Sequence, residues 1–120
     1  MSEELKNKFC EVGEVGENYF QALQDTLYVI GGKWRVQVLY SIYLGNKRFR
    51  EIERSIPGIT TRMLSKELKA MEVNKLITRT VHSTTPVKIE YTPTAYSESF
   101  AEVIEAMINW GLKHREKIKN

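Results

Sequence analysis

In the stretch Pro57-Gly58-Ile59-Thr60-Thr61-Arg62-Met63-Leu64-Ser65-Lys66-Glu67-Leu68-Lys69, one helix is brought to an end and another begins almost at once. Proline disfavours helix in the residue before it, and glycine permits a sharp bend. Thr60 is of the residue type that caps a helix N-terminus. From there Leu64, Leu68 and Met71 fall at i, i+4 and i+7, the buried side of a helix over about 60–72. Thr61, Arg62, Ser65, Lys66 and Lys69 take the opposite side.

Working upstream, Phe49, Ile52 and Ile56 put one apolar stripe on a short helix that Pro57-Gly58 stops. Before it, Trp34, Val38, Leu39 and Ile42 repeat the helical pattern as far as Leu44, where Gly45-Asn46 makes a turn. A further helix is expected from Asn18, a suitable N-cap, through Phe20, Leu23, Leu27 and Ile30, with Gly31-Gly32 closing it. Residues 1–17 carry little apolar period and form either a loose arm or a short helix. The arm 1–17 is therefore set apart from a single domain over 18–120.

Downstream, two β-like runs, Leu76 to Val81 and Val87 to Thr92, flank His82-Ser83-Thr84-Thr85-Pro86, and predict a hairpin over about 77–92. Phe100, Val103, Ile104, Met107, Ile108 and Leu112 then trace a long amphipathic helix, expected over about 95–118. The fold class is thus α+β, mostly α.

Charge is unevenly spread. Residues 1–32 hold 2 Lys/Arg against 6 Asp/Glu, residues 33–88 hold 12 against 4, and residues 89–120 hold 4 against 5. All of the positive excess lies in the middle, where the short helix, the turn and the capped helix lie. Such a block suits a polyanion, because Lys and Arg release counterions on meeting phosphates. The plainer reading of a basic helix face is a solvated surface, and the hairpin that follows tips the balance. Helix, short helix, tight turn, capped helix and hairpin is an order that presents one braced helix to a DNA major groove about 12 Å wide.

On that reading Thr60, Thr61, Arg62, Ser65, Lys66 and Lys69 face double-stranded DNA. Arginine can donate two parallel bonds to the guanine edge, so Arg62 is the expected base reader. Hydroxyls and lysines more often grip phosphates, which leaves Thr61 and Ser65 as weaker base candidates. Ser83, Thr84 and Lys88 on the hairpin, or wing, suit the flanking backbone or minor groove. Lys47 and Arg48 either reach phosphates or keep a turn soluble. Arg79 alternates with apolar neighbours and reads as a structural ion-pair partner. Trp34 and Trp110 sit on apolar stripes, where packing is the expected role.

Other classes find little support. The two histidines, His82 and His114, have no neighbouring nucleophile and base, and neither a phosphate-binding glycine loop nor a metal-ligand cluster occurs, so no catalytic site and no cofactor are expected. Cys10 is the one cysteine, which rules out an intramolecular disulfide and fits a reducing compartment. No run of roughly eighteen apolar residues suggests a membrane span, so a cytoplasmic location is expected. The competing reading is a winged-helix module that binds protein rather than DNA.

Ile30-Gly31-Gly32-Lys33-Trp34, Lys47-Arg48-Phe49, Pro57-Gly58-Ile59-Thr60, Arg62-Met63-Leu64 and Ile89-Glu90-Tyr91-Thr92, in this order and spacing, resemble the HxlR-type regulators, winged-helix repressors related to MarR proteins. The resemblance spans roughly residues 20–112. It implies a winged helix-turn-helix with added N- and C-terminal dimerisation helices, in which a homodimer lays two recognition helices into successive major grooves of a roughly palindromic operator. Phe20, Leu23, Leu27, Phe100, Ile104, Met107, Ile108 and Trp110 are the expected dimer contacts. No effector is named by the sequence. By analogy, a small molecule would bind between the dimer helices and the core. Members often carry a cysteine about thirteen residues before the tryptophan, and some use it to sense oxidants or electrophiles. Gln21 stands at that position here, and Cys10 lies eleven residues upstream of it. A second departure is Pro93-Thr94-Ala95-Tyr96-Ser97, where the family usually has Leu-Thr and then Gly entering the last helix.

Overall fold

The computed structural model describes residues 3–11 and 16–119, which group into two units, Met1–Gly31 and Gly32–Asn120. In the first unit α1 runs over Glu3–Glu11 and α2 over Gly16–Ile30. Within the stretch expected as an arm, residues 3–11 are thus helical. The second helix begins two residues before Asn18, the expected cap, and holds Asn18 inside it, where asparagine costs a helix only tenths of a kcal/mol, about 0.7 at most. It closes at Gly31, whose φ of 67° suits a residue without Cβ and whose N–H reaches the Leu27 carbonyl at 3.1 Å. The unit boundary falls here, after Gly31, whereas the sequence suggested a division after residue 17.

The second unit contains α3 (Arg35–Tyr43), α4 (Phe49–Ser55), α5 (Thr61–Val73), β1 (Ile77–His82), β2 (Lys88–Pro93), α6 (Ala95–Glu98) and α7 (Ala101–Lys119). Helical spacing supplies its core. Val38, Leu39 and Ile42 of α3, Ile52 of α4, and Leu64, Leu68 and Met71 of α5 are all buried, with Ile56 and Ile59 filling the turn, Leu76 just before β1 and Ile77 starting it. α3 packs on α4, α5 and β2, so it is the centre around which the others are arranged.

A polar chain anchored on the buried Ser41 braces α3 against α4. The Asn46 side-chain amide donates to the Ser41 hydroxyl at 3.1 Å, Ser41 lies 2.6 Å from the Ser55 hydroxyl, and Ser55 donates to the Ile52 carbonyl at 2.7 Å. Because the Ser55 O–H already donates to the Ile52 carbonyl, Ser41 must be the donor between the two hydroxyls, and every member is satisfied.

β1 and β2 form an antiparallel hairpin in the register Ile77↔Pro93 to His82↔Lys88. The Lys47 carbonyl accepts the Tyr91 N–H at 2.8 Å, so the segment leading into α4 lies against the outer edge of β2.

The C-terminal helix expected over 95–118 is interrupted. Thr94 caps α6 by accepting from the Ser97 N–H at 3.1 Å, and the hydroxyls of Ser97 and Ser99 turn back onto the Thr94 and Tyr96 carbonyls at 3.0 and 2.7 Å. Serines that bond their own backbone compete with helix continuation. The chain therefore restarts at Ala101 as α7.

α5 ends on a residue that glycine would suit better. The Leu76 N–H bonds the Met71 carbonyl at 2.9 Å and the Lys75 N–H bonds Glu72 at 3.0 Å, with Lys75 at φ 62°. This is the Schellman arrangement with lysine in the left-handed position, which costs an L-residue about 1–2 kcal/mol. Lys75→Gly is expected to stabilise the protein by about 1 kcal/mol, read as a higher urea midpoint at unchanged slope.

Candidate nucleic-acid interface

Thr60 starts α5: its backbone is extended and its hydroxyl accepts the Met63 N–H at 3.1 Å. Gly58 makes the preceding bend at φ 84°, and a Cβ there would lie 3.7 Å from the Trp34 ring, so the turn is set close against the start of α3. Two side-chain links then hold α5 from behind. The Thr61 hydroxyl donates to the Glu53 carboxylate of α4, and the Arg35 guanidinium of α3 meets Glu67 at 3.0 Å with both side chains largely buried. With Leu64, Leu68 and Met71 buried, the helix can neither roll nor slide without opening the core.

What faces outward is the set named from the sequence. Thr60, Thr61, Arg62, Ser65, Lys66 and Lys69 are all exposed. Arg62, Ser65, Lys66 and Lys69 follow one another at three, one and three residues, a single stripe along the helix. None of the three cations in it makes an ion pair with another described residue, so their charge is uncompensated at close range.

Lys47 and Arg48 are held at the start of α4 by one carboxylate. Their backbone N–H groups both donate to Glu51 Oε1 at 3.0 Å. Those two bonds hold the Glu51 carboxyl below its ordinary value of 4.5. Both basic side chains remain exposed.

The wing is less basic than its composition suggests. His82 Nε2 lies 2.9 Å from Glu90 Oε1, and the Lys88 ammonium 3.7 Å from Glu90 Oε2. Burial pushes the Glu90 carboxyl up, but the His82 hydrogen bond and the nearby charges of Lys88, His82 and Lys47 outweigh it and hold it below the usual carboxylate value. Lys88 is thus partly neutralised. At the tip Thr84 donates to the Pro86 carbonyl at 2.8 Å, leaving Ser83 and Thr85 as the exposed hydroxyls without a partner among the described residues.

Arg79, read as a structural ion-pair partner, is instead exposed on β1 opposite Tyr91 and pairs with no described acid. Arg50 and Arg54 were not singled out. Four residues apart on α4, they line with Arg48 a groove of about 410 Å³ between that helix and the wing, floored by Phe49, Val87 and Ile89. Their signal in the sequence was the i, i+4 spacing of two arginines on a helix whose other side is apolar.

Among the expected dimer contacts, Phe20, Leu23 and Leu27 of α2 and Met107, Ile108 and Trp110 of α7 are exposed, Phe20 at 73% and Trp110 at 66%. Trp110 stacks on His114 with centroids 5.0 Å apart. Phe100 is half-buried. Ile104 is different: at 3% exposure it belongs to the core of its own unit and offers nothing to a partner. Cys10 falls in α1, and its side chain lies outside the described residues. Among the described residues no cluster of His, Cys, Asp or Glu is placed to hold a metal, and no helix is long and apolar enough to cross a membrane.

A helix-turn-helix braced by a third helix and followed by a two-stranded wing defines the winged helix class. Residues 29–119 match the HxlR-like helix-turn-helix family, and the chain belongs to it. Among curated relatives, it is 33% identical over 102 residues to the HTH-type transcriptional regulator YtcD of Bacillus subtilis, covering 85% of this chain and 81% of that one. It is 38% identical over 96 residues to YdeP of the same organism, covering 80% and 75%. Among solved structures it is similar to the redox regulator HypR in its reduced form, with a TM-score of 0.76 and 35% identity over 82% of this chain and 97% of that one. A MarR-family regulator from Enterococcus faecalis matches with a TM-score of 0.72 at 28% identity, over 84% and 92%. The family consists of DNA-binding transcriptional regulators, not enzymes.

The Glu51 contacts make a pH-dependent prediction. Its folded value is depressed, so its contribution to stability is complete above about pH 4.5 and fades as the pH falls through the lower folded value. Glu51→Ala should therefore unfold at a lower temperature than the parent at pH 7, and the gap between the two melting curves should close progressively below pH 4.5.

Proposed function

We propose that this chain is a cytoplasmic, sequence-specific regulator that binds a roughly palindromic operator as a homodimer. The observation that carries the reading is the exposed stripe of Arg62, Ser65, Lys66 and Lys69 on a helix whose opposite side is locked into the core. Such a helix presents its N-terminal side chains to base edges while Lys47, Arg48 and the wing residues Ser83 and Lys88 reach the flanking backbone; Thr84, whose hydroxyl donates to the Pro86 carbonyl, has only lone pairs to offer there.

Selection of random duplexes by the purified protein at about 150 mM salt tests this, since nonspecific basic binding loses discrimination there. An inverted repeat with half-sites about one helical turn, or 34 Å, apart is expected. Loss of all binding with rising salt and no enriched sequence would overturn it. On the selected operator, Arg62→Ala should cost about 1–3 kcal/mol and relax one base preference, whereas Lys66→Ala should weaken all sequences alike. A change of sequence choice in the lysine variant would exchange the two roles.

The apolar side chains left exposed on α2, and separately those on α7, support self-association, because an apolar helix face left uncovered marks a surface that a partner covers. Sedimentation should give a dimer at micromolar concentration, and Trp110→Glu should shift it toward monomer. A parent protein that sediments as a monomer would sink the dimer.

A further inference from the structure

The three hydroxyls at the start of the recognition helix are in different hydrogen-bonding states. Thr60 accepts the Met63 N–H and keeps its own proton. Ser65 has no partner among the described residues. Thr61 alone has committed its proton, to Glu53 Oε2. Glu53 Oε1 is 3.7 Å from the Arg50 guanidinium, and the Glu53 side chain is only 20% exposed, so the carboxylate is held from both ends.

The direction of that bond follows from chemistry. A carboxylate has no proton to give, so the hydroxyl must donate, and what Thr61 presents outward is lone pairs only. Phosphate oxygens are acceptors as well, and the negative charge of Glu53 directly behind Thr61 repels them. The partners left are donors. On the major-groove edge these are the adenine N6 and cytosine N4 amino groups, since guanine and thymine show only acceptors there.

Resting on the operator-binding reading above, we propose that Thr61 is a specificity-determining residue that accepts a hydrogen bond from an amino-bearing base, with Glu53 as the positioning residue that orients it. This reverses the usual role of a hydroxyl in such a helix, which is to donate to phosphate. Thr60, with its proton free, keeps that role.

The test compares operators selected by the parent, Thr61→Val, Thr61→Ser and Glu53→Gln, each first checked for folding by circular dichroism. The parent should select adenine or cytosine at one position of each half-site. Replacing that base by its analogue without the amino group should weaken parent binding about 3- to 10-fold, the range of one neutral hydrogen bond. Thr61→Val should show no preference there and no response to the analogue, while Thr61→Ser retains both. Glu53→Gln, whose amide can donate to the hydroxyl and release its proton, should also accept guanine or thymine. Unchanged selection by Thr61→Val, an equal loss on all sequences in both variants, or strict amino-base selection by Glu53→Gln would each overturn the assignment while leaving operator binding intact. If the parent enriches no sequence at all, the operator reading falls and this assignment falls with it.

Discussion

The burial of Leu64, Leu68 and Met71 against α3 is the constraint on which the rest of the molecule depends. With three positions of one helix fixed in the core, the helical period leaves no freedom in which side chains face outward. The Arg35–Glu67 pair adds direction to that packing, because a guanidinium and a carboxylate largely withdrawn from water tolerate little displacement. On the operator-binding proposal, affinity for DNA depends on what occupies the outer stripe, and the inner stripe can be judged by stability alone.

Carboxylates do as much as cations to shape the surface. Glu51 gathers the N–H groups of Lys47 and Arg48, Glu53 accepts the hydrogen bond of the Thr61 hydroxyl, and Glu90 sits between His82 and Lys88. Each lies beside a basic or hydroxyl group expected to meet DNA. The net charge of the central block therefore overstates the field at the wing and understates it along α5, where Arg62, Lys66 and Lys69 stand without acidic partners among the described residues. A protein of this kind discriminates by where its acids are as well as by where its bases are.

Much of this was legible from period and turn chemistry. Pro57-Gly58 followed by Thr60 placed the recognition helix within a residue of its observed span, and the two β-like runs placed the wing. Local signals sufficed there because the features are local. What could not be read depends on tertiary placement. Ile104 shares an apolar stripe with Met107 and Ile108, and nothing in the stripe says that one member turns into its own core. The serines that interrupt the last helix look like ordinary polar residues until their hydroxyls are seen bonding backbone carbonyls. Arg79 alternates with apolar neighbours along its strand, a pattern that suggests a structural ion pair, but its cross-strand neighbour is Tyr91. The hydroxyl states of Thr60 and Thr61 are likewise invisible in two identical adjacent letters.

The bond from the Tyr91 N–H to the Lys47 carbonyl has a consequence for the protein in a crowded cell. A two-stranded hairpin offers two open edges, each able to recruit a strand from a neighbouring chain and so seed aggregation. Here the outer edge of β2 is occupied midway by the chain's own backbone, which denies an incoming strand a continuous ladder. The edge of β1 carries the exposed Arg79, which pairs with no described acid, a charge that an added strand would have to bury or displace. The hairpin can thus project toward a ligand without acting as a template for its own kind.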